Sequence, residues 1–499
     1  MMSFAIVQTR ANIGIQAVLV SVETHISNGL PSLSIIGLPE TTVKGCRGRV
    51  RSAIINAQFE FPTRRITINL APADLPKQGG RFDLPIALSI LAASKQIPST
   101  KLEQYEFIGE LGLSGELRPV SGILPFALAA QKANHSIIIP LENAQEASLN
   151  KKINILPAKN ILQICAHLHG RTVLPNYHAK YPQHDPRDLP DLSEVQGQAY
   201  AKRALEICAA GKHSLLMIGP PGSGKTMLAS RLISLLPPLN DEAALELAAI
   251  HSICGHSLEL STWRFPPFRK PHHTASSSAL VGGGNPPCPG EISLAHHGIL
   301  FLDELPEFNR QALEALREPL ESGNITISRA TRQTEFPANF QLIAAMNPCP
   351  CGYLGSLAHS CLCTTQQIQN YRKKLSGPFL DRIDMRIEVN PLSKIYLRQL
   401  NQEENSNIVR KRIKQAQIKQ FKNFGSLNYN LNGKNFKIAC ELSKKDHKLL
   451  ENALEKFQLS TRAYYRILRI ARTIADLTEC KKIKTSHLME ALNYRIIKK

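Results

Sequence analysis

The chain has 499 residues, of which 43% are hydrophobic and 20% are charged, and its formal net charge is +20. This composition is that of a globular protein with sizeable cores, and the length indicates about three domains. No run approaches about 18 consecutive apolar residues and no signal peptide is visible, which excludes a transmembrane helix and predicts a cytoplasmic protein without a membrane partner.

Residues 1–170 are predicted to form a mixed α/β domain. The runs Gln16–Glu23 and Arg65–Leu70 are typical of strands, and the apolar run Leu84–Ala93 is typical of a helix. Residues 171–190 are rich in proline and polar residues and have no hydrophobic period, which predicts a linker.

A second α/β domain is predicted at residues 191–390. Its apolar runs at 213–218, 298–302 and 341–346 are separated by helical stretches, a pattern that favours a parallel sheet with crossover helices. The pattern becomes helical from residue 391, so residues 391–499 are predicted to form a separate C-terminal domain.

The first of these apolar runs leads into a glycine-rich motif, and a helical pattern follows from Met227. Backbone N–H groups of such a loop bind phosphate oxygens, its lysine reaches the β- and γ-phosphates, and its threonine hydroxyl ligates Mg²⁺. The flanking strand and helix therefore favour an ATP site over a turn that binds nothing. The motif consists of Gly219, Pro220, Pro221, Gly222, Ser223, Gly224, Lys225 and Thr226.

His272 and His273 form a doublet in a serine-rich insertion that follows this motif. Adjacent histidines rarely converge on one metal ion. We therefore interpret the insertion as a pore-lining loop that contacts DNA phosphate or base, and a hydrogen-bonded structural role is the alternative.

Polar residues also end the second and third apolar runs. Asp303 and Glu304 follow the second run, where Asp303 is expected to hold Mg²⁺ and Glu304 to polarise the attacking water. Asn347 follows the third run, where its amide can orient that water or contact the γ-phosphate. The alternative for Asn347 is a cap on the turn before Pro348.

A cysteine-rich insertion is predicted at residues 347–365. Two Cys-x-Cys pairs are separated by nine residues, and four thiolates on one loop suit a tetrahedral structural Zn²⁺ site. Four reduced thiols or a redox-sensitive pair are the alternatives, and His359 can replace one ligand. The predicted ligands are Cys349, Cys351, Cys361 and Cys363. The other seven of the 11 cysteines are scattered and are expected to be buried apolar residues.

Arg382 is a candidate for an arginine that reaches the γ-phosphate bound by an adjacent subunit and stabilises the transition state. The alternative is an ion pair with Asp381 or Asp384.

The C-terminal stretch 391–499 contains 24 Lys and Arg residues against 9 Asp and Glu residues, which is about three quarters of the excess positive charge. A concentrated basic surface favours a nucleic-acid partner over a merely solvated helical surface. Arg462 begins a basic helix here and can approach the nucleotide phosphates, but its spacing fits a surface or DNA-facing arginine equally well.

The order of these motifs resembles that of AAA+ ATPases. Further segments resemble the magnesium-chelatase-like branch and, essentially from end to end, the YifB/ComM family of bacterial competence proteins. The segments that carry this resemblance are Gly37–Glu40, Asn69–Pro76, Gly79–Pro85, Gly109–Gly112, Pro271–Thr274, Ala279–Gly284, Pro289–Glu291 and Leu302–Phe308. One departure is Cys288, which stands where that family usually has a basic residue. If that position contacts DNA, one contact per subunit is in doubt.

The resemblance implies a homo-oligomeric ring, a hexamer assembled on ATP or DNA, that hydrolyses ATP. It implies a single-stranded or branched DNA partner and branch migration of DNA during recombination, notably in natural transformation. It also implies that Asn347 is sensor 1, Arg382 the arginine finger acting in trans and Arg462 sensor 2, with Arg466 and Arg469 as alternatives on the same helix. The implied fold is an N-terminal Lon-protease-like α/β domain of the ribosomal S5 domain 2-like type, an AAA+ core and a C-terminal helical lid.

Lon-type proteases need a serine nucleophile and a lysine base. In this chain the aligned positions are Arg81 and Pro125, and neither residue can do that chemistry. We therefore predict an N-terminal domain without peptidase activity, used for ring assembly or DNA contact, and a dyad elsewhere in the domain is the alternative.

Two other functions are compatible with the nucleotide motifs: a metal-inserting chelatase subunit and a ring that remodels proteins. The basic C-terminal stretch argues against the chelatase, and stimulation of ATP hydrolysis by DNA, by unfolded protein or by neither separates the three functions. A scaffold that does not hydrolyse ATP is disfavoured because Asp303 and Glu304 are both present.

Overall fold

The computed structural model covers the full chain and describes residues 3–37, 45–179, 189–256, 259–284, 287–329, 332–355, 359–391 and 403–495. The chain divides into two compact units. Unit 1 comprises Met1–Gln183 and Ala244–Trp263, and unit 2 comprises His184–Ala243 and Arg264–Lys499.

Unit 1 is built on a seven-stranded mixed sheet whose strand order is β3-β4-β2-β1-β5-β8-β9. The described strands of unit 1 are β1 (Ser3–Ile13), β2 (Gln16–Ser27), β3 (Ser32–Ile36), β4 (Arg65–Ala71), β5 (Tyr105–Phe107), β6 (Glu110–Leu111), β7 (Leu117–Arg118), β8 (Ser136–Pro140) and β9 (Ile155–Ala158). Strands β1 and β2 form a long antiparallel hairpin in which Ser3 pairs with Ile26 and Ile13 with Gln16. Strands β6 and β7 form a separate two-stranded sheet.

Five helices accompany these strands in residues 3–179 of the described chain. They are α1 (Cys46–Asn56), α2 (Asp83–Ala93), α3 (Ile123–Lys132), α4 (Ala144–Ala147) and α5 (Ile161–Leu168). Every residue of α2 is buried, which explains why its sequence is apolar all round rather than amphipathic. Arg81, at the position aligned with a protease nucleophile, donates from Nη2 to the Ser121 carbonyl oxygen at 2.6 Å, and burial lowers its pKa to about 10.

Unit 2 contains the parallel sheet, whose order is β11-β14-β17-β10-β18 with parallel pairing between all neighbours. Its strands are β10 (Leu215–Ile218), β11 (Phe268–Arg269), β14 (Ile299–Leu302), β17 (Gln341–Met346) and β18 (Met385–Glu388). Two short hairpins are inserted between them, β12 (Gly282–Gly283) with β13 (Cys288–Pro289) and β15 (Asn324–Arg329) with β16 (Arg332–Pro337).

Helices alternate with these strands along the chain from residue 199 to residue 380. The first are α6 (Ala199–Gly211), α7 (Lys225–Leu235), α8 (Asp241–Ile253), α9 (Ser277–Val281), α10 (Glu291–Leu294), α11 (Arg310–Ala315), α12 (Pro319–Ser322), α13 (Thr365–Lys373) and α14 (Gly377–Leu380). Most of α8 belongs to unit 1 by its position after Ala244. Strands β14 and β17 are buried along their whole length, as expected for a parallel sheet covered on both faces.

The C-terminal region is helical. Its helices are α15 (Ser406–Phe424), α16 (Gly433–Ala439), α17 (Lys444–Lys456), α18 (Thr461–Leu477) and α19 (Thr485–Asn493). Asn405, Ser443 and Ser460 accept hydrogen bonds from backbone N–H groups in the first turns of α15, α17 and α18, which fixes where these helices begin. Helix α18 buries one face, including Ile467, Ile470 and Ile474, against the core of unit 2.

The α/β class, the parallel sheet and the helical C-terminal region are confirmed. None of the helices in the described parts of the chain is long and apolar enough to cross a membrane. The predicted burial of the seven scattered cysteines is wrong for Cys288, which is exposed because it lies on the short strand β13 of an inserted hairpin. Cys254 and Cys480 are half-buried, whereas Cys46, Cys165, Cys208 and Cys440 are buried.

Candidate functional site

The glycine-rich motif lies between the end of β10 and the start of α7, as its sequence predicts. Gly222 and Gly224 have φ angles of 75° and 87°, which glycine adopts without steric cost and other residues rarely adopt. Gly224 stands at the N-terminus of α7, where no side chain caps the helix. The first N–H groups of α7 therefore face the loop, in the arrangement that binds phosphate.

Lys225 lies across this loop. Its Nζ donates to the carbonyl oxygens of Gly219 at 2.7 Å and Pro220 at 2.9 Å, and to Asn347 Oδ1 at 3.2 Å. Burial lowers the pKa of Lys225, and the nearby carboxylates of Asp303 and Glu304 oppose this shift. The ammonium group is thus held among weak acceptors that a phosphate can replace.

The Ser223 hydroxyl is the second group in this loop that fits a phosphate ligand. Its oxygen is buried and has no hydrogen-bond partner among the described residues. A buried hydroxyl without a partner costs free energy, and a phosphate oxygen in the loop would satisfy it.

Asp303, the first of the two acids that follow β14, contacts the end of the glycine-rich motif. Thr226 Oγ1 donates to Asp303 Oδ2 at 2.8 Å, so the hydroxyl and the carboxylate predicted to hold Mg²⁺ lie side by side. Hard oxygen ligands of this kind suit Mg²⁺. The other oxygen of Asp303 accepts the backbone N–H of Glu304 at 3.1 Å.

Glu304 has a strained backbone. Its φ of 53° and ψ of 46° lie in the left-handed region, which costs a residue with a Cβ about 1–3 kcal/mol. The side chain is 55% exposed, so water reaches its carboxylate. Strain at one acidic residue beside a phosphate loop is typical of a site where geometry has been fixed for function.

Two residues that the sequence did not place here also contact these acids. Lys270 Nζ lies 3.2 Å from Asp303 Oδ2, and His273 Nδ1 lies 3.3 Å from Glu304 Oε2. Both follow β11, a strand of two residues that is too short for its pattern to be recognised. The signal available was their position directly after Phe268 and Arg269, where the chain leads towards the carboxyl edge of the sheet.

The four predicted cysteine ligands come together after Asn347, with all four sulfur atoms within 4.8 Å of one another. The Sγ–Sγ distances are 3.4 Å for Cys349 and Cys351, 3.6 Å for Cys349 and Cys361, and 3.5 Å for Cys351 and Cys361. A tetrahedral zinc with bonds of about 2.3 Å would set these sulfurs about 3.8 Å apart, so the donor set fits the ion. The backbone N–H of Tyr353 lowers the pKa of Cys351 to about 6, which favours the thiolate.

This cysteine loop packs directly on the phosphate loop. Gly352 has a φ of 85°, and a Cβ at that position would lie 2.7 Å from Pro221 Cδ. Asn347 begins the same loop and contacts Lys225. The cysteine cluster is therefore placed to fix the shape of the glycine-rich loop.

Arg382 and Arg462 lie together, and their carboxylate partner is neither Asp381 nor Asp384. Arg382 is 6% exposed and its Nη2 lies 2.7 Å from Glu321 Oε1, while Arg462 Nη2 lies 3.6 Å from the same oxygen. The alternative ion pair of Arg382 is not formed, because Asp384 binds Arg466 and Asp381 lies beside Arg495.

The two arginines line a cavity of about 820 Å³ in unit 2. Its walls carry further cations from α18, from the end of α6 and from α16, and its acidic groups are those of Glu321 and Asp384. The further cations are Lys212, Lys437, Arg466 and Arg469. No residue of the glycine-rich motif lines this cavity. The arginines thus form a cluster separate from Lys225 and Asp303 of the same chain.

Comparisons with known proteins cover nearly the whole chain. The family described as magnesium chelatase, subunit ChlI, matches residues 191–397, a second ChlI family matches residues 22–143, and the ChlI C-terminal family matches residues 403–495. The chain is 51% identical to the competence protein ComM of Haemophilus influenzae, with 99% of this chain and 98% of that protein covered. It is 51% and 50% identical to the YifB proteins of Salmonella typhimurium and Escherichia coli, with the same coverage.

Proposed function

Because the chain belongs to the YifB/ComM family of magnesium-chelatase-like AAA+ proteins, we propose that it is an ATP-dependent DNA motor. Its subunits assemble into a hexameric ring in the cytoplasm and drive branch migration, which promotes the integration of DNA during recombination and natural transformation. The observation that carries this proposal is the convergence of Lys225, Thr226, Asp303 and Asn347 at one edge of the parallel sheet.

Each group at this edge has a defined role in hydrolysis. Lys225 and the N–H groups of the phosphate loop bind the β- and γ-phosphates, and Asn347 contacts the γ-phosphate or the attacking water. Glu304 accepts a proton from that water while the water oxygen forms a bond to the γ-phosphorus. The bond between the γ-phosphorus and the ADP oxygen breaks, and its electron pair stays on the ADP oxygen. Thr226 and Asp303 hold Mg²⁺, which when bound neutralises charge on the phosphate oxygens.

Arg382 and Arg462 act on the nucleotide of the neighbouring subunit. Both line a cavity that excludes the phosphate loop of their own chain, and both share Glu321 as a partner. A triphosphate presented by the next subunit competes with Glu321 for the two guanidinium groups. An arginine supplied in this way contributes a factor of about 10³ or more to the rate of hydrolysis.

The DNA partner is supported by charge. Helix α15 exposes Lys411, Lys414 and Lys422 to solvent, and it begins a C-terminal region with a large excess of positive charge. Exposed lysines in such numbers bind phosphate backbones without regard to sequence, as a motor that moves along DNA requires.

The cysteine cluster holds a structural Zn²⁺ ion. The supporting observation is a set of four sulfur atoms within 4.8 Å of one another, of which three lie 3.4 Å to 3.6 Å apart. Metal analysis of protein purified without added zinc is expected to give one zinc per chain, and substitution of Cys349 and Cys361 by serine is expected to abolish it.

The test of the motor is ATP-dependent resolution of a synthetic four-way DNA junction. The wild-type protein is expected to separate the junction, while Lys225→Ala loses nucleotide binding and Glu304→Gln binds ATP without hydrolysing it. A wild-type protein that hydrolyses ATP but leaves the junction intact would refute the proposed helicase activity.

The rate of ATP hydrolysis decides between the proposed motor and its alternative, a magnesium-chelatase-like or protein-remodelling ATPase. DNA is expected to raise the rate of ATP hydrolysis, whereas an unfolded protein is expected to leave it unchanged. Stimulation by unfolded protein alone would instead favour a remodelling ring.

A further inference from the structure

Helix α15 contains six Lys and Arg residues and no Asp or Glu among its 19 residues. Some of these cations are paired within the chain, since Arg412 lies 2.7 Å from Glu206 Oε1 and 2.5 Å from Glu404 Oε1, and Lys419 lies 2.9 Å from Glu479 Oε1. Three further lysines are exposed, and no carboxylate of the described residues pairs with them. They are Lys411, Lys414 and Lys422. Their positive charge is therefore left uncompensated.

Two apolar side chains are exposed among these lysines. Residues three or four positions apart lie on one face of a helix, which places Ile418 and Phe421 on the face of the three lysines. Ile418 is 55% exposed and Phe421 is 53% exposed. In the described part of the chain, the ring of Phe421 packs on no other aromatic ring and on no cation. We refer to Lys411, Lys414, Ile418, Phe421 and Lys422 as the α15 face.

Helix α16 lies next to the C-terminal end of the α15 face. Asn435 Nδ2 donates to the Phe424 carbonyl oxygen at 3.3 Å, which holds the start of α16 beside the end of α15. Helix α16 also exposes a lysine and an apolar residue, Lys434 and Ile438, the latter with 63% of its surface accessible. The combination of cationic and apolar side chains is therefore not confined to one turn of one helix.

The order of residues along the α15 face decides which partner it fits. A helix that lies on a membrane places its cations and its apolar residues on opposite faces, and a helix that pairs with another helix needs a continuous apolar seam. Lys411 and Lys414 occupy the same stripe as Ile418 and Phe421, which meets neither condition. A single strand of nucleic acid presents both phosphates and unpaired bases, and aromatic rings among cations bind such strands by stacking.

We propose that the α15 face binds single-stranded DNA, with one unpaired base stacked on Phe421 and phosphates of the same strand bound by the three lysines. A duplex also presents phosphates to these lysines, but its bases are stacked on one another and give Phe421 no partner. The inference rests on the proposed DNA motor and names the form of DNA that this helix selects. Branch migration separates paired strands, and a strand held on the α15 face cannot pair again with the complement that it has just left.

The test measures binding of the full-length protein to a labelled thymidine oligonucleotide and to a blunt duplex of the same length by fluorescence anisotropy. Phe421→Ala is expected to weaken binding of the single strand at least about fivefold, because a stacked base is lost. Binding of the duplex is expected to stay unchanged, since the lysines remain. Phe421→Tyr keeps an aromatic ring and is expected to restore binding of the single strand.

Phe4→Ala is the matched control. Phe4 is an exposed phenylalanine of unit 1, with 59% of its surface accessible, so its substitution removes a ring of the same kind away from α15. This variant is expected to bind both DNAs as the wild type does. Equal urea midpoints for the variants and the wild type confirm that the folds are comparable.

Phe421→Trp gives a spectroscopic signature of stacking. The chain has a single tryptophan, Trp263, so the wild type supplies the background emission. The added tryptophan is expected to be quenched when the thymidine oligonucleotide binds and to stay unquenched when the duplex binds. A structural role of Phe421 would not produce this difference.

The proposal is overturned if Phe421→Ala leaves binding of the single strand unchanged, or if it weakens the single strand and the duplex equally. Unchanged binding of the single strand with loss of binding to phosphatidylglycerol vesicles would assign the face to a membrane instead. Failure of the proposed motor looks different. In that case the wild type would bind neither DNA, or it would bind both without separating a junction, and the second result leaves the assignment of the α15 face intact.

Discussion

At the scale of single residues, the sequence predicted the members of the proposed nucleotide site better than it predicted their neighbours. Lys225, Thr226, Asp303 and Asn347 were named from strand ends and a glycine-rich motif. In the structure Lys225 donates a hydrogen bond to Asn347, and Thr226 donates one to Asp303. Their roles in hydrolysis stay predictions. A motif is local and can be read directly, whereas a contact such as Arg382 with Glu321 depends on how distant segments pack.

His213 gives a pH dependence that belongs to this scale. Its Nε2 lies 2.7 Å from Thr473 Oγ1, and burial lowers its pKa from 6.5 to about 4. Between these two pH values an unfolded chain binds a proton at His213 and the folded chain does not. The contribution of His213 to stability is therefore full above pH 6.5 and is lost as the pH falls towards 4.

The loss is large enough to measure. Lowering the pH from 7 to 5 is expected to destabilise the wild type by about 2 kcal/mol more than His213→Gln, which has no titrating ring. Urea unfolding followed by circular dichroism at the two pH values gives this difference, and titration of other groups cancels between the two proteins. Equal losses in both proteins would show that His213 is not kept neutral by burial.

At the scale of elements, apolar runs located the strands of unit 2 to within a few residues. The runs at 298–302 and 341–346 became β14 and β17, and the run at 213–218 became β10 (Leu215–Ile218). Strand β11 was missed because a strand of two residues is too short to show a hydrophobic period. The packing of the cysteine loop on the glycine-rich loop was also missed, since Gly352 and Pro221 are distant in the sequence and come together only in the folded chain.

This packing predicts a loss of nucleotide affinity when Gly352 is replaced by alanine. The new Cβ would lie 2.7 Å from Pro221 Cδ, so one of the two loops must shift. We expect ATP to bind at least about tenfold more weakly, because about 1.4 kcal/mol of distortion at the phosphate loop reduces affinity by that factor. Binding of a fluorescent ATP analogue measures the effect.

Gly355→Ala is the matched control for this variant. Gly355 also has a positive φ, of 78°, but an added Cβ there meets nothing within 4 Å. Both substitutions carry the same kind of backbone strain, so both are expected to lower the stability of the cysteine loop to a similar degree. Only Gly352→Ala should weaken ATP binding, and an equal effect of Gly355→Ala would mean that strain and not contact is responsible.

At the scale of the whole molecule, the division into units differs from a simple order of domains along the chain. Residues Ala244–Trp263 follow the glycine-rich motif in the sequence but belong to unit 1. There the Ser252 carbonyl oxygen accepts the N–H of Gly122 at 2.8 Å, and its hydroxyl oxygen accepts the N–H of Leu124 at 3.2 Å. Helical periodicity predicts a helix at this position but does not say which core it joins.

The proposed assignment of arginines to neighbouring subunits predicts complementation between two inactive proteins. Lys225→Ala cannot bind ATP but keeps Arg382, and Arg382→Ala keeps its own ATP site but offers no arginine to its neighbour. Mixing the two should produce sites with an intact Lys225 on one side and an intact Arg382 on the other. The rate of ATP hydrolysis by the mixture is expected to exceed the sum of the rates of the two proteins assayed separately. A mixture no more active than its parts would place Arg382 at the site of its own chain.

Positive charge concentrated near the C-terminus predicts how DNA binding depends on salt. Each phosphate contact adds about 0.9 to the slope of log affinity against log salt concentration on B-DNA, because bound counterions are released. Substitution of Lys411, Lys414 and Lys422 on α15 by glutamine is therefore expected to reduce the slope by up to about 3. Fluorescence anisotropy of a labelled junction between low and physiological salt measures this slope.

The control removes the same charge from exposed lysines of unit 1, namely Lys101, Lys152 and Lys159. Because counterion release depends on which phosphates are contacted and not on total charge, only the α15 variant should flatten the slope. Equal slopes for both variants would mean that net charge alone attracts the DNA and that α15 does not touch it.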